Sequence, residues 1–135
     1  IEEGIEAIGN SVITGNLTIT DTLYIGNNSF EFNTNAIAVP LAAVTNVDAY
    51  DSTNYHFAKY FVTIRNDAGT LYHALELIVV NQGSNVSMTT YGEVWSNYSL
   101  GLLDASVSGG NVVVTVNPTA NSVPLTVSTY RTIQA

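Results

Sequence analysis

The sequence contains no cysteine and few basic residues. Without cysteine there is no disulfide, thiolate metal site or cysteine nucleophile. The three basic residues, Lys59, Arg65 and Arg131, stand against eleven acidic ones, so the formal net charge is −8. A nucleic-acid-binding surface needs clustered positive charge to replace phosphate counterions, and we therefore expect no nucleic-acid partner. The same shortage disfavours binding to an anionic membrane surface.

Long apolar runs and helical patterns are also missing. No apolar run approaches the roughly 18 residues that a membrane-spanning helix requires, so we expect no membrane insertion. The best helical candidate, residues 36–47, is interrupted by Pro40, which removes a backbone donor. Because the chain begins at Ile1 rather than Met, we expect it to be processed or to be part of a longer protein.

The composition is typical of a folded β protein. Hydrophobic residues make up 46% of the chain and charged residues 10%, against a usual charged share of about 25%. Thr, Ser and Asn supply the missing polarity. Disordered chains have the opposite balance, with few apolar residues and much charge.

Alternating apolar residues predict a series of strands. Residues 57–65 and 71–80 alternate clearly, and the turn-forming residues 66–70 join them into a predicted hairpin. A second hairpin is expected from residues 103–107 and 112–116, and a last strand from residues 123–133. Pro124 favours an edge or the start of that strand. This spacing predicts an all-β fold with an antiparallel, jelly-roll-like β-sandwich.

The first 35 residues contain short apolar segments separated by Gly-Asn turns. A strand of four residues cannot bury its own apolar face, so we expect other copies or partner chains to complete these segments. We therefore predict a short-strand stalk or attachment segment at residues 1–35 and a β-sandwich domain at residues 36–135. The predicted association set is Val12, Ile13, Leu17, Ile19, Leu23, Tyr24, Ile25, Phe30 and Phe32.

Two stretches resemble proteins of tailed bacteriophages. Residues 12–20, with the sequence VITGNLTIT, resemble units that are common in fibre and baseplate proteins. Residues 55–135 are similar to a domain of virion structural proteins of marine tailed phages, through residues 58–64, 72–80, 89–92, 108–112 and 127–131.

The resemblance implies a non-enzymatic virion structural protein in a tail fibre, a baseplate or a head appendage or decoration. It implies a location in the extracellular particle, a homo-oligomer with a trimer favoured, and other virion proteins as partners. The family supplies no catalytic motif.

The ionisable residues form no recognisable catalytic or metal-binding motif. The two histidines lack the spacing of a metal pair, and we interpret His73 as a packed or surface histidine. Asp48 and Asp51 lack the further oxygen ligands and the glycine of a calcium loop, so we interpret them as solvated loop carboxylates. We therefore predict no enzyme activity, no cofactor and no metal.

The segment 91–98 contains the only tryptophan and two tyrosines. Rings beside carboxylate and amide groups suit a sugar or a protein partner. One interpretation is a receptor- or carbohydrate-binding module that contacts a host surface glycan. The other is that the tryptophan fills the core and the tyrosines edge it, because large aromatic side chains are mostly buried. The residues concerned are Tyr91, Glu93, Trp95, Asn97 and Tyr98.

Overall fold

A computed structural model describes residues 8–25, 30–40, 42–119 and 124–135. These residues form nine strands and no helix, so the described part has no helix that could span a membrane. The strands are β1 (Leu23–Ile25), β2 (Phe30–Val39), β3 (Thr45–Asp51), β4 (Phe57–Asn66), β5 (Tyr72–Gln82), β6 (Asn85–Trp95), β7 (Gly101–Ser108), β8 (Asn111–Pro118) and β9 (Leu125–Gln134).

The nine strands form two antiparallel sheets. The larger has the strand order β1-β2-β9-β4-β5-β6, and the smaller has the order β3-β8-β7. Buried side chains from both sheets form one apolar core, to which β4, β5, β8 and β9 contribute most. The predicted all-β sandwich with antiparallel sheets is confirmed.

Alternation along the strands separates core residues from surface residues, as the sequence predicts. In β4, for example, Tyr60 and Val62 are buried, whereas Phe57 and Phe61 are exposed on the outer face of the larger sheet. Both predicted hairpins are present as the pairs β4–β5 and β7–β8. Pro124 stands directly before β9, a central strand, so it marks a strand start rather than an edge.

The leading part of the chain differs from the expectation in two ways. The structure has no strand in residues 8–22, although short strands were expected there. A strand exists through hydrogen bonds to a neighbouring strand, and these segments have none within the described chain. In addition, β2 pairs with β9 from Phe30 to Val39. The predicted boundary at residue 35 therefore falls inside a strand of the larger sheet.

A buried polar network joins the two sheets. Arg131 on β9 donates through Nη1 to Asp48 Oδ2 on β3 at 2.7 Å and to the Ala49 carbonyl at 2.9 Å. The Tyr60 hydroxyl on β4 donates to the same Asp48 oxygen at 2.7 Å. The side chains of Arg131 and Asp48 are only 9% and 10% exposed. The ion pair is therefore largely removed from water.

The interpretation of Asp48 as a solvated loop carboxylate is wrong. The residue lies within β3 opposite the buried Val114, so its side chain faces inward. Asp51 ends the same strand and is partly exposed to solvent. There the Thr53 amide donates to its carboxylate at 2.8 Å and lowers the pKa of Asp51.

Two tyrosines in or beside this network, Tyr50 and Tyr60, have raised pKa values. Burial raises the pKa of Tyr50 to about 12. Burial, reinforced by the Asp48 carboxylate, also raises the pKa of Tyr60 well above its usual value. Both pKa values are higher in the folded protein than in the unfolded chain. The two neutral phenol groups therefore make their full contribution to stability below about pH 10, and this contribution is lost as the pH rises through the folded pKa.

We therefore expect phenolate absorbance of the native protein to show that Tyr50 and Tyr60 ionise only well above pH 10, and the unfolding temperature to fall above about pH 10. In denaturant, all the tyrosines should titrate together near pH 10. Ionisation of every tyrosine near pH 10 in the native protein would contradict this expectation.

Candidate functional site

A groove crosses the strands on the outer face of the larger sheet. One residue from each of five strands forms its floor, and these residues are neighbours in the register: Ala36, Ser128, Thr63, Ala74 and Val94. Since neighbouring strands lie about 4.8 Å apart, this row is about 19 Å long. Two cavities of about 460 and 450 Å³ lie along the row and share Thr63. We call this feature the outer groove.

Larger side chains form the two walls of the outer groove. One wall is the neighbouring row of register partners, Tyr130, Phe61, Glu76 and Tyr91. The other wall is the row on the opposite side, Thr126, Arg65 and Tyr72. A floor of mostly small side chains between larger ones produces the depression, and aromatic rings stand on both sides of it.

The position of Tyr72 is fixed by hydrogen bonds. Its hydroxyl donates to the Gly69 carbonyl in the β4–β5 turn. Its backbone amide donates to Ser96 Oγ at 3.1 Å, and its carbonyl accepts from the Ser96 amide at 2.8 Å. The Tyr72 wall of the groove is therefore already ordered in the absence of a ligand.

Arg65 differs from the other two basic residues in its surroundings. Arg131 is paired with Asp48, and Lys59 lies 3.9 Å from Glu76. Arg65 lines the 460 Å³ cavity and has no hydrogen bond or ion pair with any described residue. Its guanidinium is exposed and remains available to an incoming group.

A β-bulge divides the aromatic segment that the sequence groups together. Tyr91 pairs with Glu76 and belongs to the outer face. The register then shifts at Gly92, whose φ of +62° favours glycine. Beyond the bulge, Glu93 and Trp95 turn towards the side of His73, and Trp95 also lines the end of the 460 Å³ cavity.

Glu93 and Trp95 both contact His73 there. His73 is buried, as the packed interpretation predicts. Its Nδ1 accepts a hydrogen bond from the Leu100 amide at 3.1 Å, so Nε2 carries the proton and donates to Glu93 Oε1 at 2.7 Å. The Trp95 ring meets the imidazole edge-on at 5.6 Å.

The alternative that Trp95 fills the core is wrong, because the residue ends the edge strand β6 and is 45% exposed. Asn97 and the half-exposed Tyr98 follow in the loop after β6. The five predicted contact residues therefore do not form one surface in the structure. The sequence analysis does not identify Arg65, Tyr72 and Phe61 as site residues. The only signal for them is that they occupy outward-facing positions in the alternating pattern of the β4–β5 hairpin.

The predicted association residues that the structure describes are exposed. Val12 and Leu17 are 89% and 63% exposed, and Ile13, Ile19 and Leu23 also remain accessible. The side chains of four further members, Tyr24, Ile25, Phe30 and Phe32, lie outside the described part. The chain therefore leaves the apolar side chains of residues 12–19 uncovered. Among the described residues, no group of three His, Asp or Glu side chains could hold a metal ion.

No family model and no curated protein matches this sequence. Solved structures do match. The chain is similar to the Acinetobacter baumannii phage AM24 tailspike protein, with a TM-score of 0.54 and 11% identity over 78% of this chain and 26% of that one. The chain thus spans about a quarter of that tailspike, and the likeness shows a shared fold.

Two further matches are also phage tailspikes. The tailspike gp49 of Acinetobacter baumannii bacteriophage Fri1 matches with a TM-score of 0.44 and 17% identity over 83% of this chain and 19% of that one. The Acinetobacter phage vB_ApiP_P1 tailspike matches with a TM-score of 0.40 and 14% identity over 93% and 26%. The resemblance to phage virion proteins agrees with these matches. The more specific similarity to proteins of marine tailed phages stays a prediction.

The prediction that the chain is not an enzyme is contradicted by one of these matches. The Fri1 tailspike is named a capsular polysaccharide depolymerase, so the structural neighbours of this chain include an enzyme. That name describes the whole tailspike, of which this chain covers 19%.

Proposed function

We propose that this chain is a β-sandwich domain of a bacteriophage tail protein of the tailspike kind, and that residues 8–22, which we call the leading segment, join it to further copies of itself. A trimer is the favoured assembly, other virion proteins are its neighbours, and the extracellular particle is its location. The observation that carries the proposal is the row of exposed apolar side chains on a segment without strand partners of its own.

Burial of these side chains supplies the driving force. Each Val, Leu or Ile side chain that becomes fully buried contributes about 1.5–3 kcal/mol. Val12, Ile13, Leu17 and Ile19 are four such side chains in every copy. Several copies together can offset the free energy that association requires in lost translational and rotational freedom.

The edge of the larger sheet offers a second means of association. In the described residues, β1 has a strand neighbour on one side only, at β2. An edge strand presents unpaired backbone groups that a segment of another chain can complete. The leading segment precedes β1 directly, so it is well placed to make such a contact with a neighbouring copy.

The fold supports a tail protein as the setting. The AM24 tailspike contains a region of the same fold, and this chain corresponds to about a quarter of it. A tail fibre or tailspike therefore has more support than a baseplate or a head decoration.

A paired substitution tests the assembly. Val12→Asn with Leu17→Asn in the full chain should convert the oligomer to a monomer, because asparagine does not gain free energy on leaving water. Light scattering during gel filtration measures the mass. Thr18→Asn with Thr20→Asn is the matched control, since it alters exposed polar side chains of the same segment. An unchanged mass in the Val12/Leu17 variant would refute the proposed contact.

A further inference from the structure

We propose that the outer groove binds an extended oligosaccharide that carries a carboxylate group, and that Arg65 holds this carboxylate. The proposal concerns a different surface from the leading segment and does not depend on self-assembly. It commits the groove to one kind of ligand, a linear acidic sugar chain.

The backbone of the groove favours a sugar over a peptide. Three of the five strands under the groove, β9, β4 and β5, have hydrogen-bonded neighbours on both sides along the groove row, so their backbone groups are already paired within the sheet. An extended peptide across this face would find few partners for its own amides, because peptides bind sheets by adding to an edge. Hydroxyl groups, by contrast, can bind the side chains that line the floor and wall, such as Ser128, Thr63 and Thr126.

The aromatic residues suit the apolar faces of sugar rings. Phe61 and Tyr130 stand on one wall and Tyr72 on the other, and each is about half exposed. A tyrosine offers an apolar ring face and a polar hydroxyl together, which matches the mixed surface of a saccharide. Tyr72 is already held by Gly69 and Ser96, so less conformational entropy is lost when a ligand binds.

The distribution of charge selects an acidic sugar. The protein carries a net charge of −8, and both of its exposed basic residues, Lys59 and Arg65, lie on this face. Lys59 has Glu76 beside it, whereas Arg65 has no partner among the described residues. A guanidinium can bind both oxygens of a carboxylate in parallel, which gives strength and direction. Arg65 is therefore the group that distinguishes a carboxylated sugar from a neutral one.

Titration calorimetry on the full chain tests this inference. The probes are tetragalacturonate, a hyaluronan hexasaccharide and sialyllactose, with maltohexaose as the neutral comparison. We expect at least one acidic probe to bind in preference to maltohexaose. Arg65→Gln should weaken that binding about tenfold or more, because a charge-assisted hydrogen bond is lost. Tyr72→Ala should weaken it to a similar extent.

Lys59→Gln is the matched control, since it removes the other exposed cation of the same face and should change affinity less than about threefold. The unfolding temperature of every variant checks that the fold is intact. The proposal is overturned if no acidic probe binds, if maltohexaose binds equally well, or if Arg65→Gln and Lys59→Gln act alike. It is also overturned if Arg65→Gln changes the solution mass, which would make the groove a contact between copies. Failure of the mass test at Val12 and Leu17 leaves this result unaffected.

Discussion

Replacing Arg131 with methionine should lower the free energy of unfolding by about 3–5 kcal/mol, because it leaves a largely buried carboxylate without its countercharge. Arg131 is the hydrogen-bonded cation of Asp48, and its Nη1 also donates to the Ala49 carbonyl. Methionine fills a similar volume but donates no hydrogen bond. Chemical denaturation followed by circular dichroism measures the change.

The double variant Asp48→Leu with Arg131→Met is the informative control. Removing both charges also removes the need to desolvate them, and such replacements are often neutral or stabilising. We therefore expect the double variant to be more stable than Arg131→Met alone. A single variant within about 0.5 kcal/mol of the parent would contradict the role that we assign to the ion pair.

Leu77→Ala should destabilise the protein by about 2–5 kcal/mol, through lost burial and the cavity that remains. Leu77 is fully buried at the centre of β5 between the two sheets. The neighbouring Ile78 is 40% exposed on the outer face, so Ile78→Ala should change stability by less than about 1 kcal/mol.

The comparison of these two adjacent positions tests the alternation of β5 directly. Equal losses at both positions would mean that the outer face of the larger sheet is covered in the assembled protein. In that case the proposal that the outer groove is open to a ligand would be contradicted.

Local patterns predicted the parts of the fold that depend on neighbours along the chain. The alternation of β4 and β5 and the turn between them lie within 26 residues, from Phe57 to Gln82. Their buried and exposed faces could therefore be derived from the period-two pattern alone. The hairpin of β7 and β8 was predictable for the same reason.

Contacts between distant parts of the chain could not be derived in this way. Asp48 and Arg131 are 83 positions apart, and nothing near Asp48 indicates an inward carboxylate. The outer groove requires the strand order β2-β9-β4-β5-β6, in which β9 joins β2 to β4. That order depends on long-range pairing, so Ala36, Ser128 and Thr63 could not be recognised as one row.

A single glycine explains why Tyr91 does not share a face with Glu93 and Trp95. Continuous alternation through β6 would keep Tyr91, Glu93 and Trp95 on one face. The bulge at Gly92 reverses the faces after Tyr91. A Thr-Tyr-Gly sequence within a strand is a signal for such a bulge, because an isolated strand glycine often marks one.

The two proposals give the chain two separate contact surfaces. We propose that the leading segment joins copies of the protein. The outer groove lies on the face of the larger sheet that points away from the smaller sheet. An assembly of several copies would present several grooves at once, which would strengthen weak binding to a repetitive polymer.

The solution mass of the intact chain tests the central claim most directly. Sedimentation velocity over a wide range of protein concentration should show one oligomeric species, at three times the 14.4 kDa of a single chain for the favoured trimer. A single species of 14.4 kDa at every concentration would mean that exposed Val12 and Leu17 make no contact with other copies. That result would contradict self-assembly through the leading segment.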